Sequence, residues 1–227
     1  MKFPEQQHIL AHHCPHVILQ QLRPYVTEAR QQRIEQVIQH RLNSIQLALE
    51  CPSDINNAFA AIRTAEVLGV THIHLIAPEG TSLIARHITQ GASYWVSIHY
   101  YDTLADFLTY VNLHQLYLVG GVVTATTPLA QVSVTQPLCI FMGNEHRGLS
   151  DAAQQACHLR YVIPMVGMTE SMNLSVSAAI SLYDVTQRKR AMLLPKTSDL
   201  SSQEQEYLRA HYFLNSVSER FATRIFS

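Results

Sequence analysis

The sequence predicts an α/β fold, a mostly parallel sheet with helices on both faces and helical extensions at either end. Three observations carry this reading. From residue 45 onward, short apolar runs alternate with amphipathic stretches in repeated β-α order. The apolar runs are nearly continuous, as in strands buried on both faces. The chain also has enough apolar material for a full core, with 227 residues of which 47% are apolar and 15% charged.

Ahead of the sheet, Ile18, Leu22 and Val26 keep helical spacing, Pro24 interrupts it, and Ile34, Val37, Ile38 and Leu42 resume it in a helix starting after Thr27. Residues 45–49 form the first strand, and 58–68 a helix closed by Gly69. Strands at 72–77, 95–100 and 115–119 alternate with helices at 83–90 and 104–111, the second capped by Thr103. An irregular stretch follows Gly120 and Gly121, and Pro137 then precedes a buried strand at 138–142. Ser150 caps a short helix, residues 161–163 make the last strand, and Pro164 ends it. The final core helix spans 174–189. Over 174–183 it carries no charge on any side and is dense in Ser and Ala, which predicts packing against a second subunit. Residues 190–201 read as a linker containing Pro195, and 202–221 as one charged helix. The expected organisation is a helical extension over 1–43, a catalytic-type α/β domain over 44–190, and a linker and helix over 191–227.

The 16 Lys and Arg residues against 17 Asp and Glu leave a formal charge of −1, so any nucleic-acid surface is local. Cys14, Cys51, Cys139 and Cys157 form no C-x-x-C pair, and the first residues lack the apolar run of a leader. No window reaches the roughly 18 apolar residues of a membrane span. The expectation is a soluble protein of a reducing, cytoplasmic compartment.

In open α/β sheets ligands gather beyond the carboxyl ends of the strands. Three polar loops fall there. The first carries Asn57 and, six residues on, Arg63, nearly two helical turns apart and so roughly on one side of a helix. The second, Gly143-Asn-Glu-His-Arg-Gly-Leu149, carries Glu145. The third carries Ser171 and Asn173 ahead of a helix start whose free N–H groups suit a polar ligand. Each has a plainer explanation beside it. Ser171 or Asn173 fits an N-cap, Glu145 and Arg147 a solvated loop pair, Arg63 a snorkelling side chain, and Gly143, Gly148 and Gly167 simple turns. The signatures of dinucleotide-binding folds, P-loops, zinc peptidases and serine esterases are all missing. His8, His12, His13, Cys14 and His16 invite a metal reading, but no second ligand cluster supports it; no metal is expected, and a loosely ordered polar terminus is the commoner case.

Taken together, the loops resemble the three motifs of the SpoU family of RNA ribose 2'-O-methyltransferases, within the SPOUT superfamily. The first is similar to Asn57-Ala-Phe-Ala-Ala-Ile-Arg63-Thr and the second to Phe141-Met-Gly-Asn-Glu145-His-Arg-Gly148-Leu-Ser. The third is similar to Ile163-Pro-Met-Val-Gly167-Met-Thr-Glu-Ser171-Met-Asn173-Leu-Ser. The similarity covers about residues 27–190. It implies a deep trefoil knot in the C-terminal half of the domain, of the kind named as an exception to the rule against knots. It also implies S-adenosyl-L-methionine as cofactor, a homodimer through the knot region, and no membrane partner. Arg63 then takes the catalytic role, held by Asn57, with Glu145 and Asn173 completing the polar framework. Gly120, Gly143, Ile163, Ser171 and Met172 fall where the cofactor is cradled. Met172 replaces the usual leucine at similar volume, and Gly120-Gly121 lack the polar side chains often found there.

Members with only short helical extensions methylate the ribose of guanosine 18 in the tRNA D-loop, and this chain has that outline. The alternatives are another RNA, either ribosomal or the tRNA wobble ribose, and a knotted RNA-binding factor that transfers nothing. For tRNA, eight of the 16 basic residues lie in two flanks: Arg23, Arg30, Arg33 and Arg41 before the core, and Arg188, Lys189, Arg190 and Lys196 after it. Solvated helix faces are the plainer reading of those charges.

Overall fold

The computed structural model describes residues 4–77 and 91–226. In chain order these form α1 (Pro4–His12), α2 (Pro15–Leu22), a 3₁₀ turn (Arg23–Tyr25), α3 (Glu28–Ile38), β1 (Ile45–Glu50), α4 (Ile55–Val67) and β2 (His72–Ile76). There follow β3 (Ser97–Tyr101), α5 (Leu104–Leu113), β4 (Tyr117–Gly121), β5 (Thr127–Pro128), β6 (Leu138–Met142), α6 (Asp151–Ala156) and β7 (Leu159–Val162). The chain closes with α7 (Leu174–Leu193), α8 (Ser202–Leu214) and α9 (Glu219–Phe226). It divides into two compact units, Leu42–Lys196 and a helical unit made of Met1–Arg41 with Thr197–Ser227.

The seven strands form one parallel sheet in the order β3-β2-β1-β6-β4-β7-β5. Alternation along β1 and β6 sorts side chains to two buried faces. Ile45, Leu47, Leu49, Ile140 and Met142 pack with Ala58, Ala61, Ile62 and Ala65 of α4 and Leu174, Ala178, Leu182 and Val185 of α7. Ala48, Cys139 and Phe141 pack on the other side with Phe107 and Val111 of α5 and Ala153 of α6. Both faces are thus covered, as the continuous apolar runs require.

The elements differ from expectation in places, with local causes. Helix α4 starts at Ile55 rather than 58, because the Asp54 carboxylate accepts the Asn56 N–H at 2.8 Å and caps the helix there. The expected single helix over 202–221 is two. Helix α8 ends at Leu214, and Asn215-Ser216-Val217-Ser218 separates it from α9; the Ser216 hydroxyl there donates to the Tyr212 carbonyl instead of continuing a helix. Residues 127–131, read as irregular, contain β5 and a 3₁₀ turn. The helix expected at 83–90 lies outside the described residues.

In the helical unit the two chain ends join, α1 with α9 and α2 and α3 with α8, where the sequence suggested separate extensions. Ser201 and Glu204 form a capping box at the start of α8. Arg209 and Glu35 form a two-bond ion pair between α8 and α3.

Candidate active site

Register brings the first two loops together. Leu49 lies opposite Met142, so the chain leaves β1 and β6 side by side. The third loop follows β7 and ends at α7, which packs on α4. The three loops therefore converge at one sheet edge.

The convergence is sealed by a polar relay. Oε2 of Glu145 accepts from the Ser53 N–H at 2.7 Å and from the Ser53 hydroxyl at 2.6 Å. Its Oε1 accepts from the Asp54 N–H at 3.4 Å and from the Asn57 amide at 3.0 Å. The Asn57 carbonyl oxygen accepts in turn from the Asn173 amide at 3.0 Å. Asn173 also caps α7, its carbonyl oxygen accepting from the N–H and the hydroxyl of Ser175. The N-cap reading of Asn173 and its place in a site are therefore both true. Partial burial works against the charge of Glu145, but the hydrogen bonds from Ser53 and Asn57 outweigh it and hold the carboxyl down at about 2. It is ionised at neutral pH, and its partners are Ser53 and Asn57 rather than Arg147.

The second loop is tightly folded. Asn144 and Gly148 exchange backbone hydrogen bonds, Asn144 N–H to Gly148 C=O at 3.0 Å and Gly148 N–H to Asn144 C=O at 2.8 Å. A Cβ on Gly143 would lie 2.0 Å from both the Gly148 carbonyl carbon and the Leu149 nitrogen, so only glycine fits. Between this loop and the third lies a cavity of about 350 Å³. Gly143, Glu145, Ile163, Ser171 and Met172 line it, with Gly121, Met165 and Leu174. The expected Gly120 is not on this lining; its α-carbon faces Cys157 and Leu149, and Gly121 takes its place.

Arg63 sits elsewhere. It is exposed on α4 and makes no hydrogen bond or ion pair among the described residues. Asn57 therefore holds Glu145 and Asn173 rather than Arg63. The guanidinium lines a second, more open and largely apolar hollow of about 840 Å³, with Val67, Leu129, Ile180 and Tyr183. Ile163 borders both cavities.

The flank cations divide by burial, which corrects part of the sequence reading. Arg41 is 1% exposed, with its guanidinium carbon 5.6 Å from the Tyr212 ring centre. Lys189 is buried and donates to the carbonyls of Val134 and Thr135. Arg188 pairs with Asp184 and donates to the carbonyls of Val132 and Leu129, while Arg190 donates to the carbonyl of Leu68. These four tie chain segments together, and a phosphate contact would require giving that up. Arg23, Arg30 and Arg33 remain exposed. No group of three or more metal-ligating side chains occurs among the described residues, and no helix there is long and apolar enough to cross a membrane.

Sequence reasoning missed Ser53, Asn144, Glu50 and Gly121. Ser53 and Asn144 stood in polar loops with nothing to set them apart. Only the S-D-x-N run ahead of α4 hinted at a capped turn whose N–H groups needed an acceptor. Chemically, the hydroxyl–carboxylate pair of the relay, Ser53 with Glu145, is spent on holding two loops together. The site offers a shaped pocket, fixed polar groups at its rim, and the exposed guanidinium of Arg63 on the neighbouring hollow, an arrangement suited to placing reactants and stabilising negative charge.

Comparison with known proteins agrees with this picture. Residues 44–183 match the model of the SpoU rRNA Methylase family. The tRNA (guanosine(18)-2'-O)-methyltransferase of Borreliella burgdorferi is 31% identical over 200 residues, 86% of this chain and 89% of that protein. The crystal structure of the A. aeolicus TrmH/SpoU tRNA modifying enzyme superposes with a TM-score of 0.73 at 27% identity, covering 84% of this chain and 98% of the other. The SpoU methyltransferase AviRb from Streptomyces viridochromogenes, crystallised with AdoMet, shares the fold at a TM-score of 0.57 and 23% identity, over 63% and 57% of the two chains. With all three motifs joined by one relay and the family match spanning the whole sheet, this chain belongs to the SpoU rRNA Methylase family.

Proposed function

We propose that this chain methylates the 2'-hydroxyl of a tRNA ribose, that of guanosine 18, with S-adenosylmethionine as donor. The observation that carries it is the Glu145–Asn57–Asn173 relay, which ties the three loops together beside one cavity lined by the second and third. The relative from Borreliella burgdorferi, named for that reaction, is matched over 89% of its length.

The cavity fits the donor. Its volume falls within the range of about 300–1,000 Å³ usual for small-molecule sites. Gly121 and Gly143 bring bare backbone to its wall, and Ile163, Met165, Met172 and Leu174 give an apolar side. These residues would hold S-adenosylmethionine, which supplies a methyl group on a positively charged sulfur. The protein then has to place the ribose oxygen and manage its proton. Arg63 brings a guanidinium, a fork of N–H donors with no acceptor atom. Its role is to stabilise the negative charge developing on the 2'-oxygen while the hydroxyl proton passes to solvent water, aided by a substrate phosphate.

Because Arg63 lines the apolar hollow rather than the donor cavity, the working site is shared: Arg63 of one subunit meets the donor cavity of the other. The exposed Val67, Val176, Ile180 and Tyr183 form the matching dimer surface, on the uncharged part of α7 and the end of α4. The knot and a cytoplasmic setting belong to the same reading. Exposed Arg23, Arg30 and Arg33 supply phosphate contacts.

The test is ribose-methylation mapping by mass spectrometry after incubating the protein with donor and RNA transcripts. Methyl transfer to the ribose of guanosine 18 in tRNA, lost when that sugar is 2'-deoxy, is expected. Transfer only to a 23S RNA fragment or to the wobble ribose, or donor binding with no transfer to any RNA, would overturn the proposal.

A further inference from the structure

We infer that Glu50, outside all three motifs, is a positioning residue for the donor cradle; the inference rests on the proposed function. Glu50 ends β1 on the face shared by Ala48, toward α6, and is only 8% exposed. A carboxylate taken that far from water is costly unless its oxygens find donors. Both oxygens turn to one residue. Oε2 accepts the Ser150 N–H at 2.8 Å, and Oε1 accepts the Ser150 hydroxyl at 2.6 Å. The same hydroxyl accepts the Ala153 N–H, so Ser150 caps α6 while it is held by Glu50.

This matters for the cradle because of where the loop begins and ends. It leaves β6 at Met142, opposite Leu49, and Ser150 closes it one residue further along the same strand, at Glu50. The next residue holds it again, the Asn144 amide donating to the Cys51 carbonyl at 2.7 Å. Both ends of the loop are thus pinned to consecutive residues, Glu50 at the end of β1 and Cys51 just beyond it, and its crest is pinned by Glu145 to Ser53. The wall of the donor cavity from Gly143 to Gly148 hangs between these points. Glu50 touches neither the cavity nor the relay, so its effect is carried only through Ser150. Releasing that end lets the loop reach conformations that do not bind the donor, and weaker donor affinity follows from the lost population.

The test uses Glu50→Gln, with Ser150→Ala as a second variant should the first fold poorly. Calorimetry with S-adenosylmethionine should show about a tenfold weaker donor affinity for either, the equivalent of one lost hydrogen bond to a charged group. The pair should be non-additive when combined. Affinity for tRNA should change less than about twofold, which a general loss of fold would not spare. Hydrogen exchange read without ligand should show faster exchange at residues 144–150 and little change at β2 and β3. Unchanged donor affinity, or equal losses for donor and tRNA, would overturn the inference. If the parent chain itself binds no donor, the proposed function fails while the exchange result still decides whether Glu50 holds the loop; unchanged exchange there refutes it.

Discussion

Replacing Glu145 by glutamine tests the relay directly, because it keeps the shape and removes the charge. The carboxylate faces four donors, three of them at 2.6–3.0 Å: the Ser53 hydroxyl, the Ser53 N–H and the Asn57 amide. A glutamine presents one oxygen and one NH₂, so a donor must meet a donor. Asn57 can relieve the clash only by flipping, and its carbonyl then no longer accepts from Asn173. The lesion reaches α7 two residues from its origin. The drop of the carboxyl from 4.5 to about 2 corresponds to about 3 kcal/mol at 1.36 kcal/mol per unit. Partial exposure and solvent screening reduce this to about 2 kcal/mol.

Urea unfolding of both proteins measures it. With the folded value lowered, the contribution is full above the unfolded value near 4.5 and is lost as pH falls toward 2. Glu145→Gln should therefore be less stable by about 2 kcal/mol, by the same amount at pH 7 and at pH 5.5. The gap should start to close below pH 4.5. A difference under about 0.5 kcal/mol, the usual reach of a surface substitution, would refute the relay as a stabilising element; so would a gap that changed between pH 7 and 5.5.

Other outcomes follow from the same geometry. Arg63→Ala should lower single-turnover methyl transfer by about 10²–10³-fold with the melting temperature unchanged, since the side chain is exposed and makes no hydrogen bond among the described residues; near-full turnover would remove Arg63 from the chemistry. Gly143→Ala should abolish donor binding by calorimetry, because its Cβ would sit 2.0 Å from backbone atoms of Gly148 and Leu149. Neutralising Arg23, Arg30 and Arg33 together should weaken tRNA binding and reduce the slope of log affinity against log salt by about 2, with donor affinity intact. The buried His74 and the half-buried His72 and His99 set the acid limit. Burial and their mutual repulsion lower His72 to about 3 and His74 to about 2. Unfolding lets them take up protons, so stability should fall as pH drops below about 6.5, by up to about 1.4 kcal/mol per unit for each of His72 and His74. His72→Asn should flatten that slope between pH 6 and 5, and an unchanged slope would count against it.

The sequence by itself determined the strands, since runs such as Leu138-Cys-Ile-Phe-Met142 are apolar on both sides and only a doubly covered parallel sheet buries them. It also placed the caps at Thr27, Thr103 and Ser150, where a short polar side chain meets the unpaired N–H groups of a helix start within a few residues. Asn57, Glu145 and Asn173 were legible as loop residues beyond strand ends. Their bonds to one another were not, because they join positions 88 and 116 residues apart, a relation set by sheet register and helix packing.

The tertiary structure alone decided the fate of the cations. Arg41, Arg188, Lys189 and Arg190 look like any basic flank in sequence, yet each ends against a ring or a carbonyl supplied by a distant segment. It likewise decided that Gly121 lines the cavity in place of Gly120, a choice made by strand pleat, which sends neighbouring residues to opposite faces. It also joined the two chain ends into one helical unit. Local sequence encodes which groups need a partner, and the packed fold assigns the partner.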